Sequence, residues 1–114
     1  MVRVLVVDDE PAIADSLSII LKDAGYEVAS ASDGRSALAM ATEWRPDIIL
    51  SDLTMPRMGG EELLRRLKRT HALAHVPMIA MSALEPKAGM GFAGFLQKPF
   101  SILAMLKLIK KTAS

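Results

Sequence analysis

Apolar residues along this chain fall into two rhythms that take turns. Val2-Arg-Val-Leu-Val-Val7 is a nearly unbroken β-branched run, and Ile48-Ile49-Leu50, Val76 to Met81 and Phe95-Leu96-Gln97 are shorter ones. Tyr26 to Ala31 is a weaker example. Short runs of this kind predict strands covered on both faces. Between them the spacing becomes helical. Ile13, Leu17, Ile20 and Leu21 follow Pro11, a residue suited to a first helical position, and precede Gly25, suited to a helix end. Asp33 is placed to cap a helix from Gly34 to about Trp44, with Ala37, Leu38, Met40 and Ala41 facing in. Glu61 to Thr70 carries the stripe Leu63, Leu64 and Leu67. Ser101 can cap a last helix bearing Ile102, Leu103, Met105, Leu106, Leu108 and Ile109 among lysines. Strands alternating with helices predict an α/β domain whose parallel sheet is wrapped on both sides.

The strand ends carry the chemistry. The central stretch, Asp47-Ile-Ile-Leu-Ser-Asp52-Leu-Thr-Met-Pro56 followed by Gly59-Gly60, closes a buried strand on a carboxylate that packing does not call for. The other strands end on Asp8-Asp9, on Ser82 and on Lys98. A parallel sheet brings all these ends to one edge, where ligands of open α/β sheets bind. Three carboxylates in close range repel unless a cation lies between them. Hard oxygen donors without His or Cys favour magnesium, which keeps several waters and accepts phosphate oxygens. A lysine and a hydroxyl then suit the rest of a phosphoryl group, whose transfer needs chiefly positioning and charge neutralisation.

Composition narrows the class. The 114 residues suffice for one core; 51% are hydrophobic and 24% charged, as in a globular domain. A net charge of +1 gives no field strong enough to argue for nucleic acid or membrane, and no direct nucleic-acid contact is expected. With no cysteine there is no disulfide framework or thiolate chemistry. The apolar start at Met1 to Val7 is too short for a signal segment, and no run reaches the length of a membrane span. The expectation is a cytoplasmic protein without membrane insertion, a single domain over residues 1–114. No output domain is expected within it, and it would be stand-alone or excised from a longer regulator or hybrid kinase.

Four motifs in order, Val-Leu-Val-Val-Asp8-Asp9-Glu10, Asp47 to Pro56 with Gly59-Gly60, Met81-Ser82-Ala83 and Phe95-Leu-Gln-Lys98-Pro99-Phe100, resemble the receiver domain of bacterial two-component response regulators. The resemblance covers essentially the whole chain. It implies a CheY-like, flavodoxin-like doubly wound sheet of five strands in the order 2-1-3-4-5. It implies that Asp52 accepts a phosphoryl group from a histidine kinase or histidine phosphotransfer protein. Magnesium, with manganese able to substitute, would be held by Asp9, Asp52, the Thr54 backbone carbonyl and, through water, Asp8. Ser82 and Lys98 would contact the phosphoryl group, and Ser82 with Phe95 would form the switch read by a downstream protein partner. The Lys98-Pro99 bond is similar to one that is usually cis. The family's members are not enzymes beyond catalysing their own phosphorylation and dephosphorylation.

The chain departs from the family between Ser82 and Lys98. The segment is shorter than usual by about six residues, over one helical turn, and holds Pro86, Gly89, Gly91 and Gly94, which disfavour helix. The fourth helix is expected to be reduced or irregular over residues 84–94, ordering on phosphorylation or partner binding. Two rival readings stand beside this one. An aspartyl-nucleophile phosphatase needs a second Asp two residues after the nucleophile, and that position is Thr54. A degenerate receiver binding partners without phosphate draws on the shortened segment, but the acid and lysine set is complete. Elsewhere the plain readings prevail: Arg65, Arg66, Lys68 and Arg69 as a solvated face, His71 and His75 as inert surface-loop residues, Trp44 as packing at a helix end.

Overall fold

The computed structural model describes residues 1–113. Five strands, β1 (Arg3–Val7), β2 (Glu27–Ala31), β3 (Ile48–Asp52), β4 (Met78–Ser82) and β5 (Gly94–Gln97), form one parallel sheet in the order β2-β1-β3-β4-β5. Three helices connect successive strands, α1 (Pro11–Asp23), α2 (Gly34–Trp44) and α3 (Gly60–Arg69), and α4 (Ile102–Ala113) follows β5. The flavodoxin-like architecture expected from sequence is therefore present.

Alternation along each strand divides the core in two. Val4, Val6, Ile48, Leu50, Ile79 and Met81 face α1 and α4, where Leu17, Leu21, Met105 and Ile109 complete the layer. Leu5, Val7, Ile49 and Met78 face the other way, onto Ala37 and Ala41 of α2 and Leu63, Leu64 and Leu67 of α3. Both faces of β3 are thus buried, which is why its sequence shows no polar alternation.

Helix ends follow their residues. Pro11 opens α1, and Gly25 beyond it takes φ +98°, a conformation open to glycine. The Asp33 carboxylate caps α2 by accepting from the Ser36 amide at 2.8 Å, and Ser101 Oγ accepts from the Ala104 amide at 3.0 Å to start α4. Trp44 packs half-buried at the end of α2, with the Arg3 guanidinium 5.4 Å above its ring.

Several expectations need correction. Val2, Tyr26, Val76 and Pro77 lie outside their strands, and α3 runs one residue earlier than expected, from Gly60 to Arg69. His71 belongs to a 3-10 turn, His71–Leu73, that buries Leu73; local spacing gave no sign of it. The apolar stripe of α4 is narrower than the sequence suggests. Met105 and Ile109 are buried, whereas Ile102 and Leu103 are 51% and 62% exposed. Leu38 and Met40 of α2 are half-buried at the margin of the core. Between β4 and β5 there is no helix at all: residues 83–93 are turns, bends and irregular chain. They still pack, with Met90 and Phe92 against the α3 side of the core. Ser114 lies outside the described residues.

Gly60 shows how tightly the fold holds its site. A Cβ there would lie 2.6 Å from the Asp52 carbonyl oxygen and 2.9 Å from Leu53 Cδ2. Gly60→Ala must push the end of β3 away from α3. Overpacking of this kind costs about 1–3 kcal/mol, so chemical denaturation should show a lower midpoint.

Candidate functional site

The strand order reverses direction between β1 and β3, and the crevice at such a switch point lies beyond the carboxyl ends of the strands. Asp8 and Asp9 leave β1 at this edge, and Asp52 is the last residue of β3. One carboxylate oxygen from each comes within 4.8 Å of the others. Asp8 and Asp52 are buried and Asp9 is exposed, so the cluster opens to solvent on one side.

Local bonds fix Asp8 and the strand end at Asp52. Asp8 Oδ1 accepts from the Glu10 amide at 2.9 Å, and the Asp8 amide donates to the Ala31 carbonyl at 3.1 Å. The Leu53 amide donates to the Met81 carbonyl at 3.1 Å, carrying the β3–β4 ladder past Asp52. Lys98, following β5, donates its amide to the Ser82 carbonyl at 2.8 Å, and its ammonium reaches between the acids. Nζ stands 3.4 Å from Asp8 Oδ2 and 3.5 Å from Asp52 Oδ2. The Lys98-Pro99 peptide is cis, as the resemblance implied.

Charge within the cluster is not balanced. Burial pushes the Asp52 carboxyl above its ordinary value; Lys98 pulls it down, Asp8 pushes it up, and the backbone of Thr54 and Leu53 pulls it down. One lysine among three acids leaves net negative charge in a partly buried space, and a divalent cation is the complement that such a space favours. The donors are all carboxylate oxygens, which suit magnesium rather than zinc or copper.

The other expected site residues are placed as follows. Ser82 ends β4 beside β3, with its Oγ accepting from the Leu84 amide at 3.2 Å. Thr54 lies two residues beyond Asp52 in the β3–α3 loop. Phe95 sits apart, half-buried opposite Ala80 and lining a cavity of about 230 Å³ under residues 85–94. Sequence reasoning missed Arg57. Its guanidinium Nε donates to Asp33 Oδ2 at 2.7 Å, joining the β3–α3 loop to the cap of α2. These residues stand 24 positions apart, and neither belongs to a pattern that would pair them.

A family model described as the response regulator receiver domain matches residues 4–110. The DNA-binding dual master transcriptional regulator RpaA of Synechocystis is 37% identical over 116 residues, covering 96% of this chain and 48% of that protein. The response regulator PleD of Caulobacter vibrioides is 37% identical over 114 residues, 95% of this chain and 25% of its own length. The chain thus spans about half or less of these relatives. Among solved structures, chemotaxis response regulator CheY4 of Vibrio cholerae superposes with a TM-score of 0.91 at 36% identity, over 98% of each chain. The signal receiver domain of a signal transduction histidine kinase from Syntrophus aciditrophicus gives 0.92 at 30% identity, over 99% of this chain and 90% of that one.

Proposed function

This chain belongs to the response regulator receiver-domain family, and from that premise we propose that it accepts a phosphoryl group on Asp52 and relays a two-component signal. The observation that carries the reading is the Asp8, Asp9 and Asp52 cluster with Lys98 bridging two of its acids. The Asp52 carboxylate attacks phosphorus, a P–O bond forms, and the P–N bond to a partner's phosphohistidine breaks, the imidazole leaving with the electron pair. Lys98 takes up charge on the phosphoryl oxygens. The Ser82 hydroxyl, at the end of the neighbouring strand, is the group that hydrogen-bonds the product. Asp9, Asp52 and the Thr54 carbonyl would hold magnesium or manganese, with Asp8 acting through water. The ion supplies neutralisation of phosphoryl charge.

The nucleophile needs no general base, because a carboxylate attacks in its ionised form, which has no proton to lose. The partner is a histidine kinase or histidine phosphotransfer protein. Phe95, half-buried over a cavity next to the irregular 83–93 segment, has room to change rotamer once Ser82 moves. The surface that changes is read by a downstream protein. The full set of acids and the lysine disfavours a phosphate-independent module. No helix among the described residues is long and apolar enough to cross a membrane. Transfer from a phosphorylated histidine donor tests the reading: label should move to the chain with magnesium and stay on the donor with chelator. Label moving equally in both would overturn it.

Phosphate loss should be slow. Leu84, two residues beyond Ser82, is 79% exposed and offers no side-chain group to orient an attacking water. Leu84→Glu or Leu84→Asn is expected to speed dephosphorylation by about tenfold, less than the roughly 10²–10⁴-fold that a fully positioned proton acceptor supplies. Unchanged decay of the phosphorylated chain would refute this.

A further inference from the structure

The loop that leaves Asp52 is bent in an uncommon way. The Met58 amide donates to the Pro56 carbonyl at 2.7 Å, only two residues back, and Arg57 between them has φ +65°. This is a γ-turn of the left-handed kind, a strained shape for any residue with a Cβ. Strain of this sort persists only where surroundings impose it. Two ties to α2 impose it here. Arg57 pairs with Asp33, whose carboxylate is almost fully buried while the arginine is largely exposed. The Gly34 amide donates to the Met58 carbonyl at 2.9 Å, and a Cβ on Gly34 would collide with that same oxygen. The Ser36 amide, and after it Arg57, holds the Asp33 carboxyl below the usual carboxylate range, so the charge that binds Arg57 is kept.

We infer that Arg57 is a positioning residue for metal and phosphoryl uptake: its ion pair with Asp33 clamps the 53–59 loop to α2 and so fixes the backbone at Thr54 beside Asp52. This rests on the function proposed above. Arg57 touches neither phosphorus nor metal; it narrows the set of loop shapes. A binding-competent shape populated only part of the time weakens apparent affinity by that fraction.

The test is calorimetric titration with magnesium of the full chain, of Arg57→Gly, of Asp33→Asn and of the double variant. Glycine adopts positive φ freely, and asparagine caps a helix as well as aspartate. Arg57→Gly is expected to weaken magnesium binding by about three- to tenfold, through the loss of a preorganised loop. Its metal-free melting temperature should change little, because relief of the positive-φ strain offsets the loss of the ion pair to Asp33. Asp33→Asn should weaken binding equally, and the double variant no further, since both changes remove one interaction. The rate of phosphorylation by acetyl phosphate should fall in step. Unchanged magnesium affinity in Arg57→Gly, or losses that add in the double variant, would overturn the clamp. No magnesium binding by the unaltered chain would remove the functional reading beneath it, and the clamp with it.

Discussion

Replacing Asp52 by asparagine is expected to stabilise the metal-free protein. Its carboxyl is held above its ordinary value chiefly by burial, which Lys98 only partly offsets, while Asp8 adds a smaller repulsion. The folded state therefore binds this proton more tightly than the unfolded state does. The sign follows from linkage. Below the ordinary carboxylate range Asp52 is protonated in both states and costs nothing. As pH rises from there through the raised value, folding has to accommodate a buried charge, and stability falls. Above that interval the penalty is constant. Asp52→Asn should thus melt higher at neutral pH, by several degrees for each kcal/mol relieved in a domain of this size. The difference should shrink as the pH is lowered towards the ordinary carboxylate value. Saturating magnesium should reverse the order, because it stabilises the form that binds it. Asp33 works in the opposite sense. Its lowered carboxyl contributes stability above the ordinary range that is lost as pH falls, and it is common to both proteins and cancels in the comparison. Melting curves of the two proteins across pH, with and without magnesium, check the whole pattern.

Lys98→Ala separates two roles that a single cation could play. The ammonium is 3.4–3.5 Å from two acids that also face the metal position. Removing it deletes a preorganised positive group aimed at developing phosphoryl charge. Losing one such group typically costs about 10²–10³ in rate, and phosphorylation by acetyl phosphate should slow accordingly. Magnesium affinity should move the other way and tighten, since a competing cation has left an acidic site. A variant that loses magnesium binding together with phosphorylation would show that Lys98 organises the cluster rather than serving the phosphoryl group.

Much of this was legible in the sequence because the informative signals are local. A strand buried on both faces, such as β3, reads as an unbroken apolar run. A carboxylate at its end then stands out, and parallel topology alone gathers Asp8, Asp9, Asp52 and Lys98 without any knowledge of distances. The cap at Asp33 and the break at Gly25 are equally local. What stayed hidden depends on contacts between distant segments. The turn at His71–Leu73 forms because Leu73 finds the core, not because its residues favour a helix. Ile102 and Leu103 look like core positions in the periodicity, yet in the first turn of α4 they find no partner layer and stay exposed. The Arg57–Asp33 pair joins a loop and a helix cap that no sequence period relates. The segment 83–93 was recognisable as non-helical from its glycines and proline. Its packing through Met90 and Phe92 was not, because two apolar residues in an irregular stretch carry no register.

The central claim is that Asp52 takes a phosphoryl group in a metal-dependent step. Intact mass spectrometry after incubation with acetyl phosphate and magnesium, with Asp52→Asn and a chelator-treated sample alongside, tests it most directly. The account predicts one phosphoryl adduct on the unaltered chain and none in either control. An adduct of equal yield on Asp52→Asn, or no adduct on a chain that still binds magnesium and fails also with a phosphohistidine donor, would contradict it.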